Sequence, residues 1–363
     1  MTSPDTEPTR GIVFVQTVIP DYRVRFFRAL EEELGPQLLL VSGEDDWGRD
    51  LPHVDGIAHA TARNRFFLRR RLLWQSDVVR TALAAQVAIL NLNPRIVSTW
   101  VVLLGRRLRG RRTVLWGHLW PRAGRASRTE RVRGVMRRLA NVLVVYTESE
   151  ARLARSLRGS HVVVAAPNAL YSRTELGASD PPERTTDFVC VGRLIDEKRP
   201  RLVLDAFEQA LAALPDETKL VFVGDGGLRE SLESAADERG LAERVVFRGH
   251  VAALDDLRRV YGPAIASVSP GTAGLSVIQS LGFGVPAIVT DDARHGPEIE
   301  ATVEGENAVF FDGSSPEALS RVLVAVAAER DEWRARRPTI AGRVADAYTI
   351  EAMAGAFAAA VRG

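Results

Sequence analysis

The chain has 363 residues, 46 % of them hydrophobic and 26 % charged, with one cysteine and a formal net charge of +2. That length accommodates two ordinary domains, and that balance excludes both a disordered chain and a disulfide-stapled one. No apolar run reaches the ~18–20 residues that span a bilayer, and the polar, acidic start Met1–Pro8 is not a signal peptide, so the chain is expected in the cytoplasm.

The charge is unevenly spread. Residues 1–166 carry 27 arginines and 15 acidic residues, a net +12, and the remainder carries a net −10. A basic half implies an anionic partner: nucleic acid, a membrane surface or a phosphorylated acceptor. Of the 48 basic residues 46 are arginine; the two lysines are Lys198 and Lys219.

In chain order, Gly11–Val18 reads as a first strand, Pro20-Asp21-Tyr22 as a turn, and Arg23–Leu34 as a helix with apolar Val24, Phe27, Leu30 and Leu34 at helical spacing. No G-x-G-x-x-G follows the strand, so the dinucleotide fingerprint is absent. Gln37–Val41 is a second strand. The irregular stretch 43–73 contains Arg63-Asn-Arg-Phe66-Phe67-Leu-Arg69-Arg70-Arg71-Leu72-Leu73. Arginines interleaved with apolar residues suit an anionic membrane surface or an exposed loop. Leu73–Ile89 reads as helical, and Arg95–Thr99 and Thr113–Trp116 as strands around another helix. His118 follows the second of these strands, either facing a cleft or serving as a turn histidine. A basic helix at Thr129–Leu139, a strand at Val142–Tyr146, a helix at Ser149–Leu157 and a strand at His161–Ala165 complete an α/β half with a parallel sheet.

Residues 167–186 lack periodicity and contain Asp180-Pro181-Pro182-Glu183, so they read as the linker between an N-terminal domain (1–166) and a second domain (187–345). A final helix, within 346–363, is expected to pack back on the first domain. The second domain restarts the alternation, with strands at Asp187–Val191, Lys219–Val223, Val245–Phe247, Ile265–Val268, Ala287–Val289 and Ala308–Phe311. Cys190, inside the first of these, reads as a buried structural thiol. After that strand come Gly192-Arg193-Leu-Ile-Asp-Glu-Lys198-Arg199-Pro200, with Pro200 placed to open a helix. Arg193 and Lys198 would flank the carboxyl end of a parallel strand, where open α/β sheets bind ligands, and two such charges suit a diphosphate.

Farther on the pattern becomes specific: Phe222-Val223-Gly224-Asp225-Gly226, Val245-Val-Phe247-Arg-Gly249-His250-Val251, Ser269-Pro270-Gly271-Thr272-Ala273-Gly274-Leu275 through Gln279, Gly284 and Pro286, then Gly296-Pro297-Glu298-Ile299. With Gly192, Arg193 and Lys198, this order over residues 187–315 resembles the carboxyl-terminal domain of family 4 glycosyltransferases. The resemblance implies a GT-B fold, with two Rossmann-like doubly wound α/β domains facing each other across a cleft. It also implies retaining, metal-independent transfer from a UDP-, GDP- or dTDP-sugar, with no cofactor. It assigns Arg193 and Lys198 to the donor diphosphate and Gly249, His250 and Val251 to the nucleobase. It places Thr272 and Ala273 in the donor site, and Gly274 and Leu275 at the opening of a helix that holds the distal phosphate. His118 corresponds to a histidine that touches the donor sugar. Gly192 and Gly224 line the donor site, and Asp21, Tyr22 and Arg23 take the acceptor side.

The chain departs from the family where two glutamates commonly lie eight positions apart; here they are Gly271 and Gln279, the latter expected to bond ribose hydroxyls as a neutral amide. The acceptor is expected to be a glycan, a lipid-linked glycan or a small natural product, with peripheral contact at the inner face of the membrane through the basic half. Nucleic acid is not an expected partner, for want of a recognisable module. A non-catalytic sugar-nucleotide-binding protein and a GT-B nucleotide-sugar 2-epimerase are the alternatives.

Overall fold

The computed structural model describes residues 11–47, 56–121, 124–157, 162–178, 185–313 and 315–363. The sequence readings at Met1–Pro8, His161 and Asp180–Glu183 lie outside them. The chain forms two compact units, Met1–Pro167 with Ile350–Gly363, and Asn168–Thr349.

The first unit contains β1 (Ile12–Gln16), α1 (Val24–Leu34), β2 (Leu38–Ser42), β3 (Ala60–Thr61), β4 (Asn64–Phe67), β5 (Leu72–Gln75), α2 (Val78–Ala84), β6 (Val87–Asn91), α3 (Val97–Leu108), β7 (Arg112–Trp116), α4 (Arg128–Leu139), β8 (Val142–Val145), α5 (Glu148–Ser156) and β9 (Val162–Ala165). Seven of these strands make a parallel sheet in the order β3-β2-β1-β6-β7-β8-β9. β4 and β5 form a separate antiparallel hairpin.

Two sequence readings are corrected here. Leu73–Ile89 is not one helix: Leu72–Gln75 pairs across the hairpin, and Val87–Asn91 is a central strand between β1 and β7. Arg95–Thr99 is not a strand. β-Branched Ile96, Val97 and Thr99 suggest one, but the chain turns helical at Val97 and buries Ser98, Thr99, Val102, Leu103 and Arg106 along one face.

The second unit contains β10 (Asp187–Val191), α6 (Pro200–Ala210), β11 (Leu220–Val223), α7 (Arg229–Glu238), β12 (Val245–Phe247), α8 (Leu254–Tyr261), β13 (Ala264–Ser269), α9 (Leu275–Gly282), β14 (Ala287–Thr290), β15 (Ala308–Phe311), α10 (Pro316–Ala328) and α11 (Arg330–Ala347). Its parallel sheet runs β12-β11-β10-β13-β14-β15, the doubly wound order with its switch point between β10 and β13. The connection expected as a linker is, from Asn168 on, fastened to this unit: Asn168 Nδ2 donates to Glu298 Oε1 at 2.7 Å, and Gly177 N–H to the Gly282 carbonyl at 3.0 Å.

The last helix, α12 (Ile350–Arg362), belongs to the first unit. Phe357 lies among Phe14, Phe26 and Trp116, with ring centroids 5.1–5.4 Å away. The stretch Arg330–Arg362, which spans α11 and α12, holds a window apolar enough on average to cross a bilayer, although no uninterrupted apolar run in it is that long. Half of that window is buried inside the protein, as in the core helices of a globular chain.

The arginine excess has a structural use in both units. Arg106 is fully buried and donates to the carbonyls of Ala82, Ala85 and Gln86, capping the end of α2. Arg337, also buried, donates to the Tyr261 and Gly262 carbonyls at the end of α8. Each takes up orphan carbonyls at a negative helix end. Burial pulls both guanidinium groups down to about 10, with nearby Arg111 and Arg334 adding to the shift.

Candidate functional site

In the second unit the site starts from a row of glycines. The register places Gly192 beside Gly224, and Gly224 beside Gly249, just past the carboxyl ends of β10, β11 and β12. A Cβ on Gly224 would lie 1.9 Å from the Gly192 carbonyl oxygen, and its φ is +135°. No other residue fits there, because the two turns touch backbone to backbone. The contact continues outward: Leu194 N–H donates to the Asp225 carbonyl at 2.9 Å and Leu228 N–H to the Leu194 carbonyl at 3.0 Å.

Beyond Gly192 the chain makes a single 3-10 turn, Asp196–Lys198, and passes through Arg199 in the left-handed conformation. Pro200 then opens α6 as its first residue. This turn meets the loop between β13 and α9. Thr272 N–H donates to the Glu197 carbonyl at 3.1 Å, and Lys198 Nζ donates to the Thr272 carbonyl at 2.6 Å. Burial, and then the charge of Arg193, lower the proton affinity of the Lys198 ammonium. Arg193 is exposed at the mouth of a small crevice lined by Gly192, Lys198, Ser269, Gly271 and Ser276.

Gly271 has a steric explanation. A Cβ there would come within 2.3 Å of the Glu197 carbonyl oxygen and 2.9 Å of the Lys198 Cα. The turn carrying Lys198 occupies the space a glutamate side chain would need. Cys190, below the crevice, is buried, and its thiol is pushed up to about 12 by that burial.

Several sequence assignments change. Gln279 was expected to read a ribose, but it is buried with both halves of its amide engaged. Tyr261 Oη donates to Gln279 Oε1 at 3.0 Å, and Gln279 Nε2 donates to Tyr171 Oη. The two tyrosines bracket Phe283, so Gln279 belongs to the core under α9. Thr272 and Ala273, expected in the donor site, have their N–H groups taken by the Glu197 carbonyl and by His295 Nδ1. Gly274 and Leu275 do stand at the start of α9; Val277 N–H donates back to the Gly274 carbonyl at 2.9 Å, while the N–H groups of Leu275 and Ser276 precede the helix's own bonds. His250 is exposed, and with Val251 it lines a hollow beside Arg248, Asp256 and Arg259.

In the first unit, of the residues expected around the sugar and acceptor, Arg23 and His118 meet the rings of Trp116 and Tyr146, and Asp21 and Tyr22 do not. Arg23 is buried, its guanidinium 4.4 Å from the Trp116 ring and 6.0 Å from that of Tyr146, and it donates to Met353 Sδ of α12. It is therefore part of the packing, while Asp21 and Tyr22 face solvent. The His118 ring lies 4.5 Å from the Tyr146 ring, tilted at 45° to it, with its side chain half exposed.

Glu150 was missed from sequence. Its carboxylate accepts from Leu119 N–H at 3.0 Å and Tyr146 N–H at 3.2 Å and lies 3.5 Å from His118 Nδ1. The available signal was Thr147-x-x-Glu150, a capping-box spacing. Thr147 does cap α5 by accepting from Glu150 N–H, but the glutamate carboxylate is spent on the His118 loop. His295, also missed, has no local signal.

Among the described residues no three His, Cys, Asp or Glu side chains gather as a metal site. Residues 173–340 match the family described as glycosyl transferases group 1. A 180-residue stretch is 28 % identical to the GDP-mannose-dependent alpha-(1-6)-phosphatidylinositol monomannoside mannosyltransferase of Mycolicibacterium smegmatis, covering 47 % of this chain and 44 % of that protein. The match thus spans less than half of that relative's length. Among solved structures, the chain is similar to the Anabaena protein HepE in complex with UDP, with a TM-score of 0.70, 14 % identity, and coverage of 96 % of this chain and 98 % of that one. The lipopolysaccharide outer core galactosyltransferase WaaB follows, with a TM-score of 0.67, 16 % identity and the same coverage. The segment 173–340 is therefore a glycosyl transferases group 1 domain, in a chain of two Rossmann-like units with the GT-B fold.

Proposed function

We propose that the protein transfers a sugar from a nucleoside-diphosphate sugar to an acceptor hydroxyl, with retention of anomeric configuration and without a metal. The observation that carries this reading is the joint between the Arg193–Lys198 turn and the loop before α9, inside the segment that matches the family. Departure of a nucleoside diphosphate builds negative charge on phosphate oxygens. A guanidinium, an ammonium and a helix N-terminus fixed beforehand are the donors such charge requires. The leaving phosphate then takes the acceptor proton as the new bond forms on the same face, so no strong enzymic base is needed.

The donor is a UDP-, GDP- or dTDP-sugar. Guanosine is favoured by the mycobacterial relative's name and uridine by the HepE complex. The acceptor is a glycan, a lipid-linked glycan or a small natural product, met at an anionic surface by the first unit. That surface reading rests on the net +12 of residues 1–166 and on the tip of the β4–β5 hairpin, where Phe67 and Leu68 are exposed beside Arg69 and Arg71. Arg70 is not available to it, being held over Phe66 and paired with Asp45. Salt-sensitive binding to phosphatidylglycerol vesicles, lost on Phe67→Ser with Leu68→Ser, tests it; no binding by the parent protein rejects it. A buried free thiol suits the reducing cytoplasm, where we place the reaction.

A second reading, nucleotide-sugar binding without transfer, is favoured by one observation: neither Gly271 nor Gln279 presents a carboxylate to a donor. Incubation with a panel of nucleotide sugars, with and without candidate acceptors and chelator, separates the two. Acceptor-dependent release of nucleoside diphosphate that survives chelation supports transfer. Binding without release supports the second reading.

A further inference from the structure

The loop between β13 and α9 is held from two sides. The turn after β10 holds it through Thr272. The loop after β14 holds it through Ala273, whose N–H donates to His295 Nδ1 at 3.1 Å and whose carbonyl accepts from Gly296 N–H at 2.8 Å. The other nitrogen of His295, Nε2, lies 2.8 Å from the Thr290 carbonyl. An N–H faces one ring nitrogen and a carbonyl faces the other. The neutral imidazole with its proton on Nε2 is the one form that satisfies both.

We propose that His295 is a positioning residue for donor binding: as the neutral Nε2–H tautomer it takes up the Ala273 N–H and fixes the loop that leads into α9. The inference rests on the reading of α9 as the donor phosphate site. His295 touches no donor atom in this scheme and acts through Ala273 and the backbone that follows. The N–H groups of Gly274, Leu275 and Ser276, at the start of α9, are then aimed by a loop tied from both sides.

The charges around the ring explain why it stays neutral. Burial opposes protonation, and so does the Lys198 ammonium, which reaches the same loop. The Thr290 carbonyl and Asp292 favour protonation, but Asp292 is paired with Arg199 at 2.7 Å. Glu298, buried beside Gly296, is occupied by Asn168. The net result holds His295 below the ordinary 6.5. Because the folded value is depressed, the contribution is fully present above 6.5 and is lost as pH falls through the folded value. A proton on Nδ1 would set two N–H groups against each other and release Ala273.

The test uses the full chain and two probes, UDP and GDP, titrated by calorimetry from pH 7.5 to pH 5. His295→Asn keeps an acceptor near the Nδ1 position but cannot titrate; His295→Leu removes both bonds. The better-bound probe should bind His295→Leu about tenfold more weakly at pH 7.5, the upper end for one hydrogen bond. His295→Asn should stay within about threefold of the parent at pH 7.5 and lose the parent's extra weakening toward pH 5. Subtracting the two profiles cancels the titration of the nucleotide itself. Nitrogen-15 spectra of the parent should report the Nε2–H tautomer at pH 7.5.

Equal binding by His295→Leu and the parent at every pH overturns the proposal, as does an Nδ1–H tautomer. If His295→Leu does not fold, the His295→Asn pH profile decides. If neither nucleotide binds the parent, the donor reading itself has failed. The staple is then judged by exchange of the Ala273 amide, which must be faster in His295→Asn at pH 7.5 than in the parent by less than in His295→Leu.

Discussion

In the second unit the site loops meet first through peptide groups, with Lys198 and His295 adding side-chain bonds to backbone, whereas in the first they are joined through side chains. The Gly192 and Gly224 turns, and the Glu197 and Thr272 segments, meet through peptide groups. Around Trp116, by contrast, Arg23, His118 and Tyr146 meet as rings and a guanidinium, with Glu150 bracing the histidine loop. The difference is one of tolerance: the two kinds of joint respond differently to a side-chain substitution. Peptide–peptide joints depend on glycines and register, and at Gly224 and Gly271 an added Cβ would strike backbone of the neighbouring turn. A side-chain cluster is rebuilt by each substitution within it.

The largest effect that separates the two regions should come from the charges of the second unit. Arg193→Ala and Lys198→Ala are each expected to abolish detectable transfer and to weaken UDP or GDP binding by roughly 10- to 100-fold, the range for hydrogen bonds to charged groups. Unchanged affinity by calorimetry in both variants would break the comparison at its centre.

Next in size is the backbone joint. Gly224→Ala sets a Cβ 1.9 Å from a carbonyl at a positive φ and should cost about 3 kcal/mol of the second unit's stability. Denaturant unfolding followed by Trp333 for this unit and Trp116 for the other should show the loss in the Trp333 signal. A matching loss in the Trp116 signal would mean that the two units unfold together.

Gln279→Leu sharpens the same point for the core. It removes the amide that bonds the hydroxyls of Tyr171 and Tyr261 and should cost about 1–3 kcal/mol of stability. Donor affinity measured well below the melting temperature should hold within about threefold, because the amide is not offered to a ligand. A large loss of affinity with stability intact would restore Gln279 to the ribose.

The smallest effect belongs to the first unit. His118→Ala should lower kcat about tenfold while leaving nucleoside-diphosphate affinity unchanged, and Glu150→Gln should do the same more weakly. A loss of nucleotide affinity in either variant would show that the side-chain cluster takes part in holding the nucleotide.

Much of this was legible in the sequence. The strand–helix alternation, Pro200 opening α6, the Arg193–Lys198 turn at a strand end and the glycines past three strands follow from short-range patterns and from motif order. Local pattern failed where two periods compete. Arg95–Thr99 is β-branched enough for a strand, and only the burial of Ser98, Val102 and Arg106 on a common face makes it helical. The rest is contact between distant segments, on which the local sequence is silent. Ala273 meets His295 across 22 positions, Gln279 meets Tyr171 across 108, and Arg23 meets Met353 across 330. Outside Leu73–Thr99, composition and periodicity determined which segments would be strands and helices and which loop would carry the charges, because those depend on neighbours along the chain. Which amides those loops leave free, and that Gln279 serves the core, only the tertiary structure decided, because a hydrogen-bond donor is spent by whichever acceptor the fold brings beside it.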